Sequence, residues 1–149
     1  MNKQEFIDIM DEKLKLVRTE YSLTQDKMAA VMGMSKKTLV EIEKGRKSLG
    51  WSGAVVLASL FSASTVLQDS MGGELSDMVA ALAFDNIEVK YPKTMGGKVW
   101  WKTVEEKNGY RIQQNMVSRH YRLLDPDDNR IIASFDPETV RETLLNSVL

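Results

Sequence analysis

Along the first 84 residues the apolar side chains return every three or four positions, and beyond residue 86 they return every two. Phe6, Met10, Leu14, Val17 and Tyr21 form one stripe, which predicts a helix over 3–20 with a single buried face. Thr24 offers an N-cap hydroxyl to a second helix, whose apolar face is Met28, Ala29, Val31 and Met32 and which Gly33 stops. Ser35 caps a third, with Leu39 and Ile42 turned inward and Gly45 at its end. Trp51 and the run 54–61 predict a fourth helix. Ser64 or Thr65 starts a fifth that stops near Gly72-Gly73, and Leu75 to Phe84 supply a sixth.

The alternating half reads differently. Ile87, Val89 and Tyr91; Val99, Trp101 and Thr103; Tyr110, Ile112, Gln114 and Met116; Tyr121 and Leu123; Ile131, Ala133 and Phe135 predict five short strands. Asn108-Gly109 suits a type I′ hairpin turn because both residues accept positive φ, and Asp125-Pro126-Asp127-Asp128-Asn129 is a second turn. Asp136-Pro137 opens a last helix running through Leu145, with Val140, Leu144 and Leu145 available to pack on one sheet face. The fold class expected is α+β, with an all-helical domain over 1–72, a helical connector over 73–84, and a small antiparallel sheet plus C-terminal helix over 85–149.

A hydrophobic content of 43% with 28% charged residues describes an ordinary globular chain. The absence of cysteine excludes disulfides and thiolate metal sites. No early apolar run with a cleavage site is present, so a cytoplasmic protein is expected. The longest apolar stretch, around 54–61 and interrupted by Ser59 and Ser62, falls short of the roughly 20 residues that span a bilayer, so no membrane segment is expected.

Net charge is −1, yet residues 13–47 hold nine cations (Lys13, Lys15, Arg18, Lys27, Lys36, Lys37, Lys44, Arg46, Lys47) against four anions (Glu20, Asp26, Glu41, Glu43). A basic face can therefore exist on an acidic molecule. The alternating half shows no nucleophile and base pair, no carboxylate couple and no phosphate loop, and Gly96-Gly97 reads as a turn. His120, the only histidine, stands near Arg119 and Arg122 and reads as a strand residue rather than a base or ligand. Lys98, Lys102, Arg111 and Arg122 could line one cationic sheet face. Residues 85–149 balance ten cations with ten anions, which favours an ordinary solvated face. Trp100 and Trp101 point to opposite faces of one strand, so one is expected in the core and the other exposed, at a dimer contact, or covered by a helix. No catalytic residue, metal site or cofactor is expected.

Arg18, Leu23-Thr24-Gln25, Met28-Ala29, Gly33, Ser35, Leu39, Ile42-Glu43 and Gly45-Arg46 together resemble, over residues 6–67, the Cro/repressor-type (XRE) helix-turn-helix family. The resemblance implies a lambda-repressor-like helical domain whose third helix, at 35–43, enters the major groove of double-stranded DNA. It implies base-edge contacts from Lys36, Lys37 and Glu41, and phosphate contacts from Gln25, Ser35, Thr38, Lys44 and Arg46. Lysine donates to guanine O6 and N7 and glutamate accepts from cytosine N4, so the first set suits steps containing G·C. It further implies a structural ion pair between Arg18 and Glu43. The family commonly carries a proline after the glycine-basic turn, where this chain has Ser48-Leu49-Gly50-Trp51.

The resulting expectation is a transcriptional regulator, not an enzyme: a repressor that binds a palindromic operator as a homodimer. The second domain would serve dimerisation or sensing, through a protein partner or a small-molecule effector. An alternative keeps the DNA-binding domain and makes the sheet half an antitoxin that neutralises a toxin. An enzyme with an appended DNA-binding module would require a polar pocket with titrating groups in that half.

Overall fold

A computed structural model describes residues 1–88 and 100–149. Helices come first, followed by an antiparallel sheet and a last helix, an α+β order. The chain divides into two compact units, Met1–Lys90 and Tyr91–Leu149.

In the first unit, α1 (Lys3–Glu20) opens with a reciprocal capping box: Glu5 N–H donates to Asn2 Oδ1 at 2.8 Å and Asn2 N–H to Glu5 Oε2 at 3.0 Å. Its stripe of Phe6, Met10, Leu14 and Val17 is fully buried. Tyr21, expected as the last member of that stripe, is the C-cap and stays exposed, with its ring edge-on to Phe61 at 4.8 Å. α2 (Gln25–Met32) buries Met28, Ala29 and Met32, and α3 (Lys36–Glu43) buries Leu39 and Ile42. Val31 faces outward, because its position lies off the arc shared by 28, 29 and 32.

α4 (Gly50–Leu60) lacks a side-chain cap of its own. Asp11 supplies one from α1, its Oδ1 accepting from Leu49 N–H at 2.7 Å. α5 (Thr65–Met71) is capped by the buried Ser64. Glu20 at the end of α1 accepts from the Ser64 hydroxyl and, at 2.8 Å, from Thr65 N–H, which ties α1 to the start of α5. α6 (Leu75–Ala83) sets Leu75 and Leu82 into the same core, so the segment expected as a connector packs as part of the helical unit. No single helix among the described residues is long and apolar enough to cross a membrane.

In the second unit, β1 (Trp101–Lys107), β2 (Tyr110–Asn115), β3 (Tyr121–Leu124) and β4 (Arg130–Ser134) form an antiparallel meander in the order β1-β2-β3-β4. Asn108 and Gly109 take φ of 51° and 83° in the first turn, as a type I′ hairpin requires. Asp125 Oδ1 organises the third by accepting from the N–H groups of Asp127 and Asn129. Asp136 caps α7 (Pro137–Ser147), whose Val140 and Leu144 pack on Ile112 and Leu123. Leu145 stays exposed, one residue round the helix from that stripe.

Four of the five expected strand segments are found among the described residues. Of the first, Val89 and Tyr91 lie outside them, as do Val99, Gly96-Gly97 and Lys98, while Ile87 is exposed and not in a strand. Met116 falls in the turn after β2.

Candidate nucleic-acid interface

Between α2 and α3 the chain turns through residues 33–35. Gly33 takes φ of 70°, a left-handed conformation that costs glycine nothing, and this lets Gly33 N–H and Met34 N–H reach back to the carbonyls of Ala30 and Ala29 at 3.2 and 2.9 Å. Two residues later Ser35 starts α3, its Oγ accepting from Thr38 N–H at 3.1 Å while its hydroxyl donates to Thr38 Oγ1 at 2.9 Å. Leu39 and Ile42 anchor the inner side of α3 and leave Lys36 and Lys37 exposed at its N-terminal end.

Arg18 reaches from α1 to the end of α3. Its Nη2 and Nε donate to Glu43 Oε1 at 2.8 and 3.1 Å, and Nη1 donates to Leu23 O at 3.1 Å. The two side chains are only 15% and 4% exposed. This pair joins α1, the loop before α2 and the C-terminus of α3, and so sets the tilt of α3 against the rest of the unit.

The expected contact residues occupy distinct situations. Lys36 pairs with Asp26 at 3.3 Å. Asp26 was not singled out in the sequence, because a first-turn acid on α2 ten residues earlier carries no signal that it will face α3. Lys37 and Lys44 are exposed and make no ion pair among the described residues. Glu41, half-buried, pairs with Arg46 at 3.6 Å. Gln25 is the first residue of α2 and half-buried; Ser35 is exposed, and Thr38 is half-buried with its hydroxyl engaged by Ser35. The structure thus brings Lys36, Lys37, Glu41, Lys44 and Arg46 onto one short helix and the loop that follows it.

Elsewhere in the helical unit a groove of about 710 Å³ lies between α4, α5 and α6, walled by Val55, Ala58, Val79 and Ala80, with Glu74 its one titratable lining residue among the described residues. It offers no pair of groups for acid and base work. Among the described residues no three His, Asp or Glu side chains are placed to hold a metal ion.

On the sheet the cationic set is regrouped. Arg111 and Arg122 share the face opposite α7, whereas Lys102, next to Trp101 and Thr103 in register, alternates to the other. Arg122 lies over the Trp101 ring rather than in solvent, and His120 meets Trp101 edge-on at 4.9 Å. Trp100, just before β1, is exposed.

No protein-family model, curated protein or solved structure matches the chain.

Proposed function

We propose that the chain is a sequence-specific double-stranded DNA-binding transcription regulator that acts in the cytoplasm as a homodimeric repressor, with α3 as its recognition helix and no enzymatic activity. The observation that carries this reading is the α2, turn, α3 unit. Both helices are eight residues long, the turn is closed by a left-handed glycine, and the outer side of α3 carries cations while Leu39 and Ile42 hold its inner side.

Each part has a physical use. Lys37, which pairs with no carboxylate among the described residues, can donate to guanine acceptors in the major groove. Lys44 and Arg46, at the far end of α3, suit phosphates, which supply affinity and register rather than sequence information. Asp26 and Glu41 hold Lys36 and Arg46 in ion pairs in the free protein. The cations of both pairs are exposed, and pairs at the surface cost little to break, so DNA competes for these cations readily. One helix of this length reads only a few base pairs, and a twofold pair of α3 helices about 34 Å apart would multiply the specificity.

Selection of bound duplexes from a random pool, using the purified full chain, tests the reading. The expected result is an inverted repeat with half-sites one helical turn apart, containing G·C steps. A pool that stays random after repeated rounds would overturn it.

A further inference from the structure

Arg122 stands on a central strand, on the sheet face opposite α7, between Gln113 of β2 and Ala133 of β4. Its guanidinium carbon lies 3.9 Å from the centroid of the Trp101 ring. Its Nε and Nη2 both donate to Gln113 Oε1, at 3.0 and 2.8 Å. Gln113 is itself 9% exposed and held by Thr103, to whose Oγ1 its Nε2 donates at 3.3 Å. One face and one edge of the guanidinium are therefore fixed. The remaining edge, Nη1 with the second Nη2 proton, makes no hydrogen bond or ion pair with a described residue.

Arg122 is half-buried, and a carboxylate beside it would offset part of the desolvation of its charge. Here the surroundings push the other way: burial, then Arg130, then Arg111 lower its proton affinity. Arg111 has its own counter-ion, with Asp128 in contact, and Glu106 stands opposite it in register. Arg122 and Arg130 pair with no carboxylate among the described residues. Beside this charge the face is apolar. The Trp101, His120 and Phe135 rings run in contact, at 4.9 and 5.7 Å between successive centroids, and Phe135 is 75% exposed.

We propose that this face binds a small organic carboxylate, its two oxygens on the open Nη edge of Arg122 and its apolar body against Trp101, His120 and Phe135. The planar guanidinium fork matches a carboxylate bidentately, and its pre-set orientation reduces the entropy lost on binding. Charge selects this occupant over two others. A second copy docked on the same face would bring the same unneutralised arginines together. An extended polyanion would run onto Glu106 and Asp128, which stand in the next row of the same face. The site does not depend on whether α3 binds DNA, and its test needs no DNA-binding activity.

The experiment is an NMR titration of the ¹⁵N-labelled full chain with benzoate, benzamide, inorganic phosphate and a single-stranded oligodeoxynucleotide. Benzoate is expected to move the Arg122 Nε–H and Trp101 indole N–H signals along a saturable curve. Benzamide, with the same ring and no charge, leaves them in place, and phosphate binds about tenfold more weakly. Arg122→Lys keeps the charge and removes the fork, and weakens benzoate by about tenfold. Phe135→Ala, at an exposed position that leaves the fold intact, weakens it several-fold, with the Ile112 and Leu123 amide signals unchanged as the control. Unmoved signals, an equal response to benzamide, or tighter binding of phosphate or the oligonucleotide would each overturn the proposal.

Discussion

At the scale of single residues, Arg18 and Glu43 show what a buried charge pair does. Glu43 is 4% exposed, so Glu43→Ala would leave the Arg18 guanidinium desolvated with only Leu23 O for company. The expected cost is about 3–5 kcal/mol, since an unmatched buried charge keeps its desolvation penalty and loses its attraction. Arg18→Met with Glu43→Leu should return most of that stability, because the pair's own net contribution is small. Urea melts of the three proteins check this, and wild-type stability in Glu43→Ala would mean that the ion pair does not organise the unit. Lys37 and Lys44 differ in what they are expected to meet. Lys37→Ala should relax base preference at one or two positions at about 1–3 kcal/mol on the selected duplex. Lys44→Ala should weaken every sequence alike and lower the salt dependence by about one unit of slope. Binding isotherms at several salt concentrations separate the two.

At the scale of elements, the joints between helices carry the testable physics. No described residue comes within 4 Å of where a Cβ at Gly33 would stand, so the cost of Gly33→Ala comes from the left-handed backbone, about 1–2 kcal/mol. Gly33→Asn should cost less, because asparagine tolerates that conformation. Urea unfolding followed by helical circular dichroism gives the order. The joint between α1 and α5 responds to pH. The Ser64 hydroxyl, and then Thr65 N–H against the opposing effect of burial, hold the Glu20 carboxyl below its ordinary value of 4.5. A lowered native pKa places the stabilisation above about 4.5 and removes it as pH falls through the native value. Glu20→Gln should therefore melt below wild type at neutral pH, with the gap closing on acidification. A gap constant across that range would show that ionisation of Glu20 contributes nothing.

At the scale of the whole molecule, each unit has its own core. Residues 1–90 bury Phe6, Met10, Leu14, Met28, Leu39, Leu57, Leu67 and Leu75 together, and the sheet unit gathers Ile112, Leu123, Val140 and Leu144 separately. A chain ending at residue 90 should fold by itself, because α6 is retained and its buried Leu75 and Leu82 still close the core. Its amide NMR spectrum should overlay that of the full chain at α1 to α6, and duplexes should still bind through phosphates. Collapse of that spectrum would show that the helical unit depends on the sheet. If the truncated chain also sediments as a monomer while the full chain is a dimer, assembly belongs to the second unit.

The elements were legible in the sequence wherever their cause is local. Stripes at three and four, Thr24 and Ser35 as caps, Gly33 as a stop and Asn108-Gly109 as a turn all act within one helical turn or one hairpin, so neighbouring residues suffice to read them. The candidate interface was legible as a spacing of residues, and so was the Arg18 and Glu43 pair, through resemblance to a known pattern. Tertiary structure alone decided which distant groups meet. Asp11 caps α4 across 38 residues, Glu20 caps α5 across 45, and Asp26 faces Lys36 across an intervening turn. Which cations share the open sheet face was likewise undecided by alternation, because register irregularities between Thr103 and Glu105 and between Leu123 and Leu124 shift the parity of β1 against β2 and of β3 against β4. Those irregularities set Arg130 near Arg122 and Glu105 on the α7 side against Arg141. Periodicity tells which side of its own element a residue takes, and only packing tells what stands opposite.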